Sequence, residues 1–395
     1  MKGFQLILLR LIDLTLNLYS MTNHGLPTQD TLVRFGNREQ AAFFSTLRKR
    51  VDGYFKENKI SRHADARMVS KTVILLLAYV LPFIALLVFT LPIWGQMIMW
   101  AIMGLAMAGN GMSVMHDANH GAYSSSSTWN RWIGYSVNLL GGTVHNWNLQ
   151  HNVLHHTYTN IAGKDNDIEG AFSMRFDPHQ EHKNFHKHQW YYAFAFYSIL
   201  TLYWGLAKDF VQFAKYNKEG VNRQTTKEKR ITLFKMILIK MAYFAIIIGL
   251  PIAVGGLSVG VVIVGFLIME VISGLILSLV FQLAHVVEGP EFPLPKANGE
   301  MENSWAVHQL HTTANFSYGR KFINWYVGGL NHQIEHHLFP GICHVHYNAI
   351  APIVKETAEE FGHPYYEHKT FMLALKSHVR MLKKFGVPPL DEIMG

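Results

Sequence analysis

Four apolar runs are the feature of this sequence that most restricts its fold. They cover residues 72–91, 97–115, 233–252 and 260–283, and each has about the length that a helix needs to cross a bilayer. Backbone polar groups inside a bilayer must be hydrogen-bonded within the protein, so such runs fold as helices. Hydrophobic residues make up 49% of the 395 residues and charged residues only 16%. We therefore predict an all-α integral membrane protein with four transmembrane helices.

Short turns join these runs into two hairpins. Residues 92–95 separate the first two runs, and Pro251 with the glycines at 255–256 separates the last two. Two hairpins return the chain to its starting side, so the long middle segment and the C-terminal segment share one side. The long segments carry many Lys and Arg and the two short turns carry none. The positive-inside rule then predicts that the shared side is the cytoplasm.

The charge balance favours a membrane surface over nucleic acid as the partner. The formal net charge is +8 with neutral histidine, and an excess of this sign attracts the anionic cytoplasmic leaflet. The sequence contains no nucleic-acid-binding motif, and the apolar runs explain the basic segments better. We therefore predict contact with membrane lipid and no binding of nucleic acid.

We divide the chain into two parts. Residues 1–70 are predicted to form an N-terminal tail followed by a cytoplasmic amphipathic helix. In that helix Phe43, Leu47, Val51 and Phe55 recur every four residues and form one apolar stripe. Residues 71–395 are predicted to form the membrane domain, since no linker separates an independent unit.

Three histidine clusters dominate the chemistry of the sequence. They read HDANH at 116–120, HNVLHH at 151–156 and HQIEHH at 332–337. On a helix, residues four apart lie on one face, which is the pairing that many metal sites use. The pairs with this spacing are His116/His120, His151/His155, His332/His336 and Gln333/His337.

The number and direction of these imidazoles indicate two metal ions. All three clusters, together with His285 at the end of the fourth run, face one side under the predicted topology. His156 follows His155 directly, so on a helix it points about 100° away, which suits two ions better than one. Zinc usually takes four ligands in all, fewer than the imidazoles here, whereas two irons fit the set. Asp117 and Asn152 are predicted to hydrogen-bond ligands and to orient them.

These clusters carry a family resemblance. HDANHGAYS, HNVLHHTYTN and GGLNHQIEHHLFP closely resemble the histidine boxes of membrane fatty acid desaturases. They resemble most the front-end acyl-lipid type, which includes Δ6 desaturases and linoleoyl-CoA desaturases. Gln333 stands where other desaturases carry the first histidine of the third box. The resemblance extends from the amphipathic helix at 43–55 to the C-terminal helices.

The resemblance implies a di-iron centre held by a cytoplasmic helical cap. The ligands that it implies are His116, His120, His151, His155, His156, His285, His336 and His337. Gln333 is expected to fill or support the remaining position, and His332, one residue away, is the alternative ligand. His308 and His311 resemble the family segment before the third box and are expected to support the site rather than to bind metal.

The implied activity is that of an oxygen-dependent fatty acyl desaturase. It would introduce a cis double bond into an acyl chain, lipid-linked or carried by CoA, with molecular oxygen as co-substrate. Many front-end desaturases carry a fused cytochrome b5 domain with a His-Pro-Gly-Gly motif, which this sequence lacks. We therefore expect a separate electron donor, ferredoxin or cytochrome b5, which a basic surface would attract. The expected location is a bacterial inner membrane, with the active site facing the cytoplasm.

Two other functions compete with this interpretation. A di-iron lipid or alkyl hydroxylase would use the same boxes and return oxygen to the substrate instead of removing a second hydrogen. A membrane zinc hydrolase or a metal-binding receptor would bind zinc and no iron. The sequence leaves the position of the double bond and the acyl carrier open.

Overall fold

The fold is built around the apolar helices that the sequence predicts. The computed structural model of the protein describes residues 33–169 and 173–388, so most of the predicted N-terminal tail lies outside the described residues. Within the described ranges, four helical segments are long and apolar enough to cross a membrane. They are Ala66–Val88, Ile93–Asn119, Thr226–Ala253 and Val259–His285. Each overlaps one predicted run, with ends that differ by several residues at most, and the prediction of four such helices is confirmed.

Helices make up most of the described chain. In chain order the α-helices are α1 (Ala41–Glu57), α2 (Ala66–Val88), α3 (Ile93–Gly109), α4 (Met115–Asn119), α5 (Ser127–Gly134), α6 (Val144–Trp147), α7 (His156–Tyr158), α8 (Gln189–Ser198), α9 (Leu200–Tyr203), α10 (Asp209–Lys218), α11 (Thr226–Phe244), α12 (Leu250–Ala253), α13 (Val259–His285), α14 (Trp305–Thr312), α15 (Lys321–Tyr326), α16 (Gln333–Leu338), α17 (Tyr347–Glu360) and α18 (Phe371–Phe385). Turns of π-helix cover Asn110–Val114, Asn148–His155, Trp204–Lys208 and Ala245–Gly249. Turns of 3₁₀-helix cover Tyr135–Leu140, Asn184–His188 and His344–His346.

One pair of short strands departs from the predicted all-helical fold. Strand β1 (Ala314–Phe316) pairs in parallel with β2 (Tyr366–His368), and Asn315 lies opposite Glu367. Strands of three residues are too short to show the alternation of apolar and polar residues by which strands are recognised in a sequence. The pair fastens the segment before the third histidine box to the segment before α18.

Helix α3 packs between α2 and α13 in the apolar region. At Gly104 the backbone of α3 lies so close to α13 that an added Cβ would be 2.7 Å from the carbonyl oxygen of Met269. The buried Trp100 lies against Gly265 of α13 in the same way. Small residues allow this close approach, which is how helices gain packing energy in a membrane.

The apolar stripe of α1 faces protein. Its Phe43, Leu47, Val51 and Phe55 are buried in one cluster with residues of α14, α16 and α17, including Leu310, Ile334 and Val354. The predicted amphipathic helix is therefore present, and its stripe packs against Ile334 and Leu338 of α16, the helix that carries most of the third histidine box. The division of the chain near residue 70 stays a prediction.

Close packing at Gly104 generates a stability prediction. Gly104→Ala places a methyl group against the backbone of Met269, so α3 and α13 must move apart. Overpacking of this kind costs on the order of 1–3 kcal/mol, and we expect a lower melting temperature of the purified protein in detergent.

The matched control is Gly260→Ala in α13, where an added Cβ meets no atom within 4 Å. That variant is expected to melt like the wild type or slightly higher, because alanine favours a helix over glycine. Equal melting temperatures for the two variants would contradict the proposed contact.

Candidate metal centre

The histidines that the resemblance assigns as ligands meet in one buried site. Their rings contact one another across the three boxes; the ring centroids of His116 and His336 are 4.5 Å apart and those of His156 and His337 are 4.4 Å apart. All but the half-buried His120 are buried. The members are His116, His120, His151, His155, His156, His285, His336 and His337.

The ring nitrogens form two adjacent groups. In the first group one nitrogen from each of four rings lies within 4.8 Å of the others, and in the second group this holds for three rings. The first group is His116, His120, His151 and His336, and the second is His155, His285 and His337. His156 lies between them, with ring centroids 4.6 Å from His336 and 4.4 Å from His337. The neighbours His155 and His156 therefore differ in position, His155 within the second group and His156 between the two groups.

The second box lies on π-helix rather than α-helix. The turn Asn148–His155 carries it, and the backbone N–H of His156 bonds the carbonyl of His151 five residues earlier. This spacing brings the rings of His151 and His156 to 4.8 Å, with their Nε2 atoms 3.3 Å apart. Turns of π-helix are rare and occur frequently at functional sites. A spacing of four residues predicts the pair His151/His155 but does not predict the pair His151/His156.

Two glycines allow the third box to approach the first. Gly328 has φ +64°, and a Cβ on it would lie 2.2 Å from the carbonyl oxygen of Met112. Gly329 has φ +70° and lies against His344. Left-handed backbone without a side chain is readily available only to glycine. The chain can therefore pass against the π-helical turn before His116 and then enter α16.

Carboxylates hold the rings of the second box. The Nδ1–H of His155 donates to both carboxylate oxygens of Asp165 at 3.0 Å, and that of His151 points to Asp167 at 3.3 Å. Both aspartates are in the loop directly after the box. Burial works to raise the pKa of the Asp165 carboxyl, but His155 and the backbone N–H groups of Asn160 and Asp167 outweigh it and lower that pKa. Asp165 therefore stays ionised and accepts from His155.

Neutral acceptors hold three further rings. The Nδ1–H of His337 donates to Gln309 at 2.8 Å, that of His336 to the Tyr347 hydroxyl at 3.2 Å, and that of His285 to the Thr312 carbonyl at 3.3 Å. Gln309 and Thr312 belong to α14, which precedes the third box, and Tyr347 begins α17, which follows it. Sequence reasoning missed Asp165, Asp167, Gln309 and Tyr347; only the two aspartates offered a signal, as carboxylates next to a histidine box.

The inward nitrogens fit a metal. The Nε2 atoms of His155, His285, His336 and His337 are buried without a hydrogen-bond partner among residues 33–169 and 173–388. A buried polar atom without a partner is costly, whereas an imidazole that donates outward and presents its other nitrogen inward is the usual arrangement of a metal ligand. The donor set therefore fits metal ions at both groups.

The protonation state fits as well. Burial, followed by the charge of neighbouring histidines, holds the pKa of His151, His156, His336 and His337 well below the ordinary value for histidine. These rings are neutral at pH 7, the form that binds metals. His155 differs: burial lowers its pKa, but Asp165 and Asp167 outweigh that effect and raise it.

Asp117 and Asn152 are placed differently from their predicted roles. Asp117 accepts from the Nδ1 of His344 at 2.8 Å and from its backbone N–H at 3.1 Å, and it lies 3.8 Å from the Nδ1 of His116. Its main partner is thus His344. The Asn152 amide donates to the carbonyl of Asn119 at 2.9 Å and to Asn148. It joins the first two boxes, and within residues 33–169 and 173–388 it bonds no imidazole.

His332 and Gln333 occupy different surroundings. The His332 ring contacts Tyr318 at 5.7 Å between centroids, and its Nδ1 is 3.7 Å from Glu335. It belongs to neither nitrogen group. Gln333 begins α16, four residues before His337, and its buried amide nitrogen has no hydrogen-bond partner in the described chain.

His308 and His311 lie outside both nitrogen groups. His308 bonds the Thr159 carbonyl at 2.8 Å, and burial lowers its pKa to about 4. His311 pairs with Glu291 at 2.9 Å. The His308 ring thus holds the backbone at Thr159, whereas the His311 ring contacts the side-chain carboxylate of Glu291.

The contact of Asp165 with His155 generates a prediction on metal binding. Asp165→Asn removes the charge that orients the His155 ring, and loss of such a partner lowers metal affinity about 10- to 100-fold. We expect less iron per chain in the purified protein after equilibration with a competing chelator, measured by elemental analysis. Asp52→Asn, at a half-exposed ion pair on α1, is the matched control and should keep wild-type iron. Equal iron in both variants would refute the orienting role.

The comparisons with known proteins agree with this site. The sequence profile of the family described as fatty acid desaturase matches residues 92–369, which include all three boxes and His285. The sn-1 linoleoyl-lipid 6-desaturase of Synechocystis is 35% identical over 363 residues, covering 90% of this chain and 99% of the relative. That of Arthrospira platensis is 36% identical over 358 residues, covering 90% and 95%. The acyl-lipid (8-3)-desaturase of Physcomitrium patens is 32% identical over 357 residues, covering 90% and 74%. The chain therefore belongs to the fatty acid desaturase family and is an oxidoreductase that desaturates acyl chains.

Proposed function

We propose that this desaturase introduces a cis double bond at carbon 6 of a lipid-linked acyl chain, with molecular oxygen and two bound iron ions. The observation that carries the metal centre is the convergence of two adjacent groups of imidazole nitrogens in one buried site. The carbon position is supported by the Synechocystis and Arthrospira relatives, whose names give a linoleoyl-lipid 6-desaturase.

Each nitrogen group would hold one iron ion, and His156 would contribute from its position between them. Gln333 is the better candidate for the remaining position, because it begins α16 one helical turn before His337, whereas the ring of His332 lies outside both nitrogen groups. Iron bound there would supply the activation of oxygen and the removal of two hydrogens from adjacent methylenes.

The surrounding residues fix the geometry of this chemistry. Asp165, Asp167, Gln309 and Tyr347 hold the imidazoles so that their inward nitrogens keep one arrangement. The Trp147 ring covers the first group, with centroids 4.7 Å from His151 and 5.5 Å from His120. Unactivated methylenes offer no polar handle, so the position of the acyl chain relative to the irons decides which bond reacts.

The proposed topology has two hairpins with the metal centre on the cytoplasmic side of a bacterial inner membrane. His116, near the end of the second apolar helix, and His285, the last residue of the fourth, lie in the same cluster. Their closeness supports a topology in which these two helix ends lie on one side of the membrane, as two hairpins require. The electron donor would be a separate ferredoxin or cytochrome b5 approaching from that side, where the basic segments are.

Lipid analysis tests the proposed activity. A host that expresses this chain and is fed 18-carbon acids should accumulate an acid unsaturated at carbon 6, seen by gas chromatography with mass spectrometry. His336→Ala with His337→Ala removes one inward nitrogen from each group, so the product should fall below detection. His188→Ala, an exposed histidine far from the boxes, is the control. A hydroxylated lipid without a new double bond would contradict desaturation.

Substitutions at the two neighbouring candidates test the remaining ligand. Gln333→Ala is expected to reduce bound iron to about half, because one of two ions loses a ligand. His332→Ala should leave the iron content at the wild-type value. Elemental analysis of both purified variants measures their iron content. Less iron in the His332→Ala variant than in the Gln333→Ala variant would assign the position to His332.

A further inference from the structure

A cationic cavity outside the histidine cluster has no part in the function described so far. Its volume is about 380 Å³, within the usual range for small-ligand sites. It is lined by Arg67 and Lys71 at the start of α2, by Lys321 and Trp325 of α15, and by His344. The metal chemistry uses none of these cations.

The positive charge in this cavity is only partly balanced. Arg67 pairs with Asp65 at 2.7 Å, but Lys321 is exposed and has no ion-pair partner in the described parts of the chain. Lys71 is 2% exposed, and its Nζ lies 2.6 Å from the Nε2 of His344 and 5.5 Å from the centre of the Trp325 ring. A buried ammonium that contacts an imidazole and an indole instead of a carboxylate gains from an anion in the same cavity.

The cavity lies where lipid head groups would be. Arg67 and Lys71 are at the start of the first apolar helix, and α15 follows the exposed Tyr318 and presents Phe322, which is 75% exposed. The Tyr326 hydroxyl of α15 donates to the carbonyl of Leu105 in α3. Lysine, arginine and aromatic side chains gather at this level of a bilayer.

A chain of contacts leads from this cavity to the metal centre. Lys71 donates to His344, the Nδ1–H of His344 donates to Asp117 at 2.8 Å, and Asp117 lies 3.8 Å from His116. A head group in the cavity is thus held close to the first nitrogen group. Carbon 6 is separated from the carboxyl end of an acyl chain by few bonds, so desaturation there needs the head group near the irons.

We propose that this cavity binds a phosphate group of the acyl carrier, which makes the substrate a phosphate-bearing acyl compound rather than a neutral glycolipid. Guanidinium and ammonium groups are the usual ligands of phosphate. An acidic electron carrier is a weaker candidate, because a protein contacts a broad surface, whereas Lys71 is reached only from within the cavity. The proposal rests on the proposed function for the identity of the acyl carrier, while phosphate binding is measured independently.

The test measures equilibrium binding to the full chain in neutral detergent by calorimetry. The probes are dioctanoyl phosphatidylglycerol, dioctanoyl galactosylglycerol, which lacks phosphate, and CoA. Lys321→Gln should weaken phosphatidylglycerol binding about fivefold, and Arg67→Gln with Lys321→Gln about tenfold or more. Lys187→Gln, which removes an exposed lysine elsewhere, should change nothing. Galactosylglycerol should bind all four proteins alike.

The outcomes separate the sources of phosphate. If phosphatidylglycerol binding depends on the cavity cations, the carrier is a phospholipid; if only CoA binding does, the phosphate belongs to a CoA thioester. The proposal would be overturned if the variants bound phosphatidylglycerol and CoA with the affinities of the wild type. It would also be overturned if the variants bound lipid like the wild type but were reduced more slowly by an acidic electron donor.

A further control distinguishes this proposal from the proposed function. The His336→Ala, His337→Ala variant should bind phosphatidylglycerol like the wild type, because binding requires no turnover. The wild type could yield no new acid in the expression host while its binding of phosphatidylglycerol still depends on the cavity cations. That result would contradict the proposed activity and support the phosphate site.

Discussion

The burial of many imidazoles in one place is the constraint on which the rest of the structure depends. Removing these rings from water is tolerated only if they stay neutral and their nitrogens find partners. The outward nitrogens find Asp165, Asp167, Gln309, Tyr347 and a backbone carbonyl, while the inward ones are left for metal. Each acceptor belongs to a different element from the ring it holds, or to a loop folded back onto it. This arrangement of rings therefore requires the segments that carry the acceptors to be folded around it.

The apolar helices provide the frame for this arrangement. Close contact of α3 with α13 at Gly104 and of Trp100 with Gly265 sets how near the ends of these helices lie. Those ends continue into α4 with His116 and finish at His285. On the other side, the stripe of α1 and the core of α17 press α16 against the cluster. Packing in the apolar region and packing among α1, α16 and α17 thus act on the same ring positions.

The contacts at Asp117 connect the metal centre with the surface. A carboxylate that seemed in the sequence to serve a ligand is held mainly by His344, whose other nitrogen accepts from Lys71. Burial holds the pKa of His344 at about 4, against the opposing effect of Asp117, so the neutral ring donates on one side and accepts on the other. The contacts of Lys71 with His344 and of His344 with Asp117 therefore lead from the cationic cavity to the neighbourhood of His116, whose Nδ1 is 3.8 Å from Asp117.

The sequence alone determined the apolar helices and the candidate ligands, because both are local signals. A run of apolar residues is recognised by length and composition, and the boxes are recognised by histidine spacing within six residues. Only the tertiary structure decided how the candidate ligands divide into two groups. It also showed that the π-helical turn Asn148–His155 brings the ring of His151 against His156 as well as His155. It also supplied Gln309 and Tyr347 as partners of the third box, and it brought Lys71 to His344 across more than half of the chain. Such contacts leave no periodic trace in the sequence, because they depend on how separate elements pack.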